Sequence, residues 1–276
     1  MVCNVCGMPN VPFGYARILQ KYDIRYFRCT ACGFIETEEP YWLEEAYSSP
    51  IAKSDIGLVA RNLALSRVAS SIISSLFNRD GKFVDYGGGY GLFVRLMRDL
   101  GLDFYRCDKF CENLFATHFD VPLRGNRYEV VTAFEVFEHL HRPLEGIEEM
   151  LALSPNILFT TEIVPLGNPA PTEWWYYGLD HGQHISFYTV DSLRAISKQT
   201  GLNLYTNGTF IHMLTAKELS PKVFRFLANS RVASVVSMLL KRRSLLEDDY
   251  CKIMGKGCPA SSNRSGQSAN EGSPYA

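Results

Sequence analysis

Three sets of residues in this 276-residue chain have the types and spacing to do chemistry. Cys3-x2-Cys6-Gly7 and Cys29-x2-Cys32-Gly33 are paired-cysteine knuckles. Thiolates two residues apart grip one tetrahedral ion, and each following glycine permits the tight turn. Four such ligands close the coordination sphere, so Cys3, Cys6, Cys29 and Cys32 predict a structural zinc ribbon, with Tyr22–Arg28 as a hairpin strand. Disulfides or core cysteines are the alternative. In the second set, an apolar strand from Lys82 enters Asp85-Tyr86-Gly87-Gly88-Gly89-Tyr90-Gly91 and a helical pattern starts near Leu92. Glycines let a ligand approach the main chain, and the free N–H groups of a helix start favour something polar or anionic. A dinucleotide G-x-G-x-x-G reading fails, because counting from Gly87 its last glycine would fall at Leu92. On this loop alone, a tight turn that binds nothing competes with a ligand site. The next strand, Leu102–Asp108, ends on a carboxylate placed to accept hydrogen bonds from two hydroxyls. The third set is Glu135-Val136-Phe137-Glu138-His139, closing the strand Tyr128–Phe134, together with His181 and His184 behind Trp174-Trp175-Tyr176-Tyr177. Histidine is the usual general base near neutral pH.

Asp85, Gly87, Gly89 and Gly91 in D-x-G-x-G-x-G register, Asp108, and the E-V-x-E-H-x-x-x-P-L stretch from Glu135 to Leu144 resemble the class I S-adenosylmethionine-dependent methyltransferases. The resemblance implies that Asp85, Gly87, Gly89 and Gly91 hold the methionine part of S-adenosylmethionine and Asp108 its ribose. It counts Glu135 among the cofactor-binding residues. His184-Ile185-Ser186-Phe187-Tyr188-Thr189 is similar to a stretch of methyltransferases from sugar and cell-surface polysaccharide pathways. It points to a small saccharide-like acceptor, with His184 as base or acceptor-orienting group and His181 as its nearest rival. His139 either orders the site or only packs at a helix start. Two positions depart from the pattern: Tyr86 stands where the family usually has an aliphatic residue, and Gln183-His184 stands where zinc-bearing C-methyltransferases carry Glu-His. The second departure weighs against C-methylation.

The elements that would position these groups follow from periodicity. Apolar residues at three and four spacing predict a helix over 58–77. Strands are expected at 82–86, 102–108, 128–134 and 156–162, with a short one at Val121–Leu123, helices at 111–118 and 143–153, and a helix over 190–200 capped by Thr189 and ended by Gly201. Asn207-Gly208 predicts a two-residue turn between two antiparallel strands. The fold expected is α/β: a doubly wound, mostly parallel seven-stranded Rossmann-like sheet with a terminal antiparallel hairpin, plus the small zinc ribbon. The expected divisions are a ribbon at 1–40, a helical connector at 41–81, the cofactor domain at 82–218, helices at 219–254 and a disordered Gly/Ser-rich tail at 255–276. Residues 163–188 form a long loop at the carboxyl end of the sheet, where substrates bind. Trp174 and Trp175 read there either as a stacking wall or as a hydrophobic cluster, and Tyr47 or Arg61 as part of a lid.

A net charge of −1 gives no global footprint for nucleic acid or an anionic membrane, and 46% hydrophobic residues supply a sizeable core. No apolar run reaches membrane length, and reduced thiols suit a cytosolic compartment. Residue types leave two alternatives: an RNA methyltransferase assisted by its ribbon through Arg17, Lys21, Arg25 and Arg28, and a non-catalytic cofactor-binding module. Glu36, Glu38 and Glu39 oppose the first, and the intact glycine loop opposes the second.

Overall fold

The computed structural model describes residues 1–48, 55–122, 125 and 127–255. The expected disordered tail lies outside the described residues apart from Gly255. Two sheets organise the chain. The larger contains β4 (Lys82–Tyr86), β5 (Asp103–Cys107), β6 (Val130–Ala133), β7 (Asn156–Thr160), β9 (Asn203–Thr206) and β10 (Ile211–Thr215), in the order β5-β4-β6-β7-β10-β9. β4, β5, β6 and β7 pair in parallel, while β10 runs antiparallel to both β7 and β9. Phe83, Val84, Val130, Val131 and β7 residues such as Leu158 and Phe159 are sealed from solvent, as strands covered on both faces must be. The place of the seventh strand is held by a single parallel bridge between Arg106 and Asp120, and Leu123 lies outside the described residues.

After the single-turn α1 (Leu43–Ala46), α2 (Leu58–Leu76) and α3 (Leu92–Asp99) pack on one face of this sheet, joined by α6 (Pro221–Leu227) and α7 (Ser230–Leu239). α4 (Pro143–Leu151) and α5 (Val190–Thr200) belong to the other face, where Ile147, Met150, Leu193 and Ile196 share a core with β6 and β7. α5 begins in a capping box between Thr189 and Ser192 and ends at Gly201, as its sequence requires. α8 (Leu246–Met254) is fastened by Asp249, which accepts from Arg98 at 2.6 Å.

Two local expectations give way to side-chain hydrogen bonding. The segment 111–118 is not helical: Asn113 Oδ1 accepts from the Ala116 amide at 2.9 Å, its Nδ2 donates to the Ala116 carbonyl at 2.7 Å, and Arg106 donates to the Cys111 carbonyl. Such bonds offer the backbone an alternative to the helical ladder. The terminal hairpin forms, but its loop is longer than two residues. Asn207 pairs with Ile211, and its Oδ1 accepts from the amides of Thr209, Phe210 and Ile211 at 2.9–3.0 Å.

The smaller sheet joins β1 (Asn10–Ile18), β2 (Tyr22–Cys29), β3 (Ile35–Thr37) and β8 (Ser186–Phe187), all antiparallel, in that order. Its fourth strand belongs to the long loop after β7. Sequence alone kept the ribbon and that loop apart, but the pairing of β3 with β8 makes them one unit.

Candidate active site

A cleft of about 680 Å³ opens where β4, β6 and β7 end, lined on one side by Asp85 and the loop from Gly87 to Tyr90. Opposite stand His139, His181, His184, Trp175 and Tyr176, and α2 contributes Leu58, Arg61, Asn62 and Leu65. Gly87 has φ +67°, and a Cβ there would meet Val136 at 2.8 Å, whereas the Cβ position of Gly89 (φ +52°) opens onto free space. No side chain caps α3, whose N-cap is Gly91, so its first amides are left for a ligand.

Asp85 is buried at the foot of this loop. The Thr132 hydroxyl donates to its Oδ1 at 2.6 Å, yet burial prevails and pushes its pKa up to about 7. Asp108 closes the loop: its Oδ2 accepts from the Gly89 amide at 2.9 Å, and its Oδ1 from the amides of Phe110 and Cys111 at 2.7 and 2.8 Å. Neither Asp108 nor Gly91 is among the residues lining the cleft; both shape the loop that does. Tyr86 packs to the side, its hydroxyl donating to Glu149 at 2.6 Å.

Glu135 sits at φ +55°, held there by Thr160, whose Oγ1 accepts from the Glu135 amide at 2.8 Å and donates to Oε1 at 3.0 Å. Its other oxygen is 3.5 Å from Arg61 Nε, and Arg61 also pairs with Asp55 at 2.7 Å. A bent backbone at the strand end thus turns this carboxylate into the cleft.

Backbone partners fix the imidazole tautomers. His184 Nδ1 lies 2.6 Å from the Tyr176 carbonyl, which only accepts, so Nδ1 carries the proton and Nε2 the lone pair. His139 is alike: its Nδ1 lies 3.0 Å from the Gln183 carbonyl, with the Tyr47 hydroxyl at 2.9 Å. His181 is the reverse, since the Gln183 amide donates to its Nδ1 at 3.1 Å and leaves the proton on Nε2. Burial lowers all three, His139 to about 4 and His184 well below the ordinary value, so each ring is neutral at pH 7.

The remaining candidates separate cleanly. Trp175 is exposed at the cleft rim, while Trp174 packs against Tyr176 at a tilt and against Tyr177 edge to face. His212 is satisfied within the sheet by Thr206 and Thr161. Gln183, at the position of the C-methyltransferase glutamate, donates its side-chain amide to the Ala46 carbonyl at 2.8 Å. Sequence reasoning gave Glu138 no task, although its place three residues after Glu135 and beside His139 was the available signal. It is fully buried, and burial followed by the Glu135 charge pushes its pKa well above the carboxylate range.

A family described as a methyltransferase domain matches residues 60–207, over half of the chain. The chain belongs to this family. Its mostly parallel sheet with a terminal antiparallel hairpin is the α/β fold that the sequence resemblance implied. No curated protein matches it. Among solved structures it is similar to CalO1, a methyltransferase in calicheamicin biosynthesis in its SAH-bound form, at 18% identity and TM-score 0.41, over 63% of this chain and 61% of that one. It is also similar to the plantazolicin methyltransferase BpumL, at 13% identity and TM-score 0.45, over 64% and 93%. A third is a possible histamine N-methyltransferase from Thermotoga maritima, at 15% and 0.40, over 58% and 92%. The chain thus spans about three fifths of CalO1.

The methyltransferase cleft fits S-adenosylmethionine. A carboxylate, uncapped amides and a glycine loop with open space suit the charged amino-acid end of that cofactor, which supplies a methyl group on a sulfonium. The ribbon cysteines also fit their ion. Cys3 and Cys32 sulfurs are 3.8 Å apart and those of Cys6 and Cys29 3.3 Å, and all four lie within 4.8 Å. Tetrahedral Zn–S bonds of about 2.3 Å put sulfurs about 3.8 Å apart. The Val5 and Ala31 amides donate to Cys3 and Cys29, each at 3.4 Å, as knuckles do.

Proposed function

We propose that the protein transfers the methyl group of S-adenosylmethionine to an oxygen of a small, saccharide-like acceptor, with a zinc ion bracing the ribbon on Cys3, Cys6, Cys29 and Cys32. The observation that carries this reading is the single cleft running from the glycine loop to three neutral imidazoles. Cofactor enters on the loop side, with Asp85, Gly87 and Gly89 as its cradle and Asp108, Gly91 and Glu135 shaping it. The acceptor then lies against Trp175, Tyr176 and the histidines, where an aromatic face and several polar groups suit a hydroxyl-rich molecule. Methyl transfer is an in-line displacement, so positioning dominates and a base adds the rest.

His184 presents an Nε2 lone pair and serves the acceptor hydroxyl. His181 offers an N–H and serves as a donor, and His139 braces the wall through Tyr47 and Gln183. The oxygen acceptor is favoured over carbon because Gln183 is spent on Ala46 and supplies no carboxylate. The RNA reading loses its grip on the ribbon, where Arg17, Lys21 and Arg25 are paired with Asp23, Glu45 and Glu38. Among the described residues, no helix is long and apolar enough to cross a membrane.

Calorimetric titration with S-adenosylmethionine, followed by an acceptor screen with methyl-labelled cofactor, tests the proposal. Absence of cofactor binding would sink it. Once an acceptor is found, His184→Ala should lower turnover by about 100-fold or more with cofactor affinity unchanged. Wild-type turnover in that variant would return His184 to a purely structural role.

A further inference from the structure

The floor of the cleft holds a buried carboxyl group that its neighbours leave without a hydrogen bond. Glu138 is 0% exposed, and neither of its oxygens has a hydrogen-bond partner. A buried, unpaired carboxylate is among the costliest groups a fold can retain. Arg61, the nearby guanidinium, is already paired with Asp55 and Glu135. Facing Glu138, beside the Tyr176 ring, is a pair of imidazoles: ligand atoms of Glu138, His139 and His184 all come within 4.8 Å of one another.

We propose that Glu138, His139 and His184 bind a divalent first-row metal ion at the floor of the cleft. Both histidines are prepared as ligands, because each donates Nδ1–H to a backbone carbonyl and keeps its Nε2 lone pair, the arrangement by which metal-binding imidazoles are oriented. The two segments that carry them are pinned together. The Ile185 amide donates to the Glu138 carbonyl at 2.9 Å, the Ser186 hydroxyl to Leu140 at 2.6 Å and the Tyr188 hydroxyl to Phe137 at 2.9 Å. Ligand atoms around one ion at about 2.0–2.2 Å sit about 3–4 Å apart, so small side-chain rotations close the set. Two nitrogens and one carboxylate suit Mn²⁺, Fe²⁺, Co²⁺ or Zn²⁺ better than the all-oxygen preference of Mg²⁺ or Ca²⁺. Three protein ligands leave open positions. Because His139 and His184 line the cleft, those positions face the acceptor side, where a hydroxyl oxygen can occupy them. This assignment rests on the oxygen-acceptor reading above for its purpose, and His184 then orients the acceptor through the ion.

The test uses the full chain with its ribbon zinc-loaded and Mn²⁺ as probe, since Mn²⁺ competes poorly for thiolates. Loss of the free Mn²⁺ signal in electron paramagnetic resonance should show one additional ion per chain. Glu138→Gln and His184→Ala should each weaken that binding by about 100-fold or more, with S-adenosylmethionine affinity unchanged as the check on folding. Pulsed resonance of the wild type should show nitrogen coupling from imidazole, which needs no variant. Absence of Mn²⁺, Co²⁺ or Zn²⁺ binding beyond the ribbon ion, bound Mn²⁺ without imidazole coupling, or full retention in Glu138→Gln would each overturn the site. Failure to bind S-adenosylmethionine would instead remove the methyltransferase reading, a separate outcome.

Discussion

Cofactor binding should be coupled to a proton on Asp85. Its carboxyl is 4% exposed, and burial raises its pKa to about 7 despite the Thr132 hydrogen bond. S-adenosylmethionine brings an ammonium and a sulfonium into the cleft that Asp85 lines, and a nearby cation favours the ionised carboxylate. If the complex returns Asp85 to an ordinary value of about 3.9, apparent affinity falls as the free protein takes up its proton. The loss is about 50-fold between pH 7 and pH 5, or about 2.3 kcal/mol. The same shift sets the sign for stability. The folded value lies above the unfolded one, so the cofactor-free protein loses stability as pH rises from about 4 to 7, by at most about 4 kcal/mol from this group. Calorimetry in two buffers of different ionisation enthalpy counts the proton released. Asp85→Asn should abolish the pH slope and flatten the stability profile. Equal affinity at the two pH values, or the same slope in Asp85→Asn, would refute the reasoning.

Three more outcomes follow from other parts of the fold. Asp108→Ala should weaken S-adenosylmethionine binding by about 1–3 kcal/mol, since it removes the acceptor for the Gly89, Phe110 and Cys111 amides that hold the loop in shape; calorimetry would show it. Cys29→Ser should lower zinc content by elemental analysis and, because β3 pairs with β8, reduce turnover more than cofactor affinity. Asp249→Ala takes one of two carboxylates from the buried Arg98 and leaves it Asp103, so it should cost about 1–3 kcal/mol in denaturant unfolding.

Motifs were legible wherever the chemistry is local. The cysteine grouping Cys3-x2-Cys6 with Cys29-x2-Cys32, the turn at the glycine loop, and the helix cap at Thr189 each depend on residues a few positions apart, and each takes the local shape read from the sequence. Parallel strands were legible because burial on both faces gives each a short apolar run, such as Phe83-Val84, Val130-Val131 and Ile157-Leu158-Phe159. The segment 111–118 misled because Asn113 and Arg106 satisfy its backbone from the side, which no period reveals. Glu138 was hidden for another reason: the role proposed for it depends on His184, 46 positions away in a different strand's loop, and only the fold brings them together. The joining of β3 to β8 is likewise a long-range pairing between short strands that carry almost no pattern of their own.

That pairing also bears on how the chain folds as it leaves the ribosome. Residues 1–37 emerge before the cofactor domain and can close around their ion early, yet β3 gains its second neighbouring strand only when Ser186 and Phe187 arrive. Until then β3 is an open edge, a template for pairing with any neighbouring chain. The nascent ribbon must wait for most of the cofactor domain to be synthesised before its last strand exists, a long loop closure that slows completion. Crowded polysomes or overexpression should therefore expose this protein to aggregation through its amino-terminal sheet.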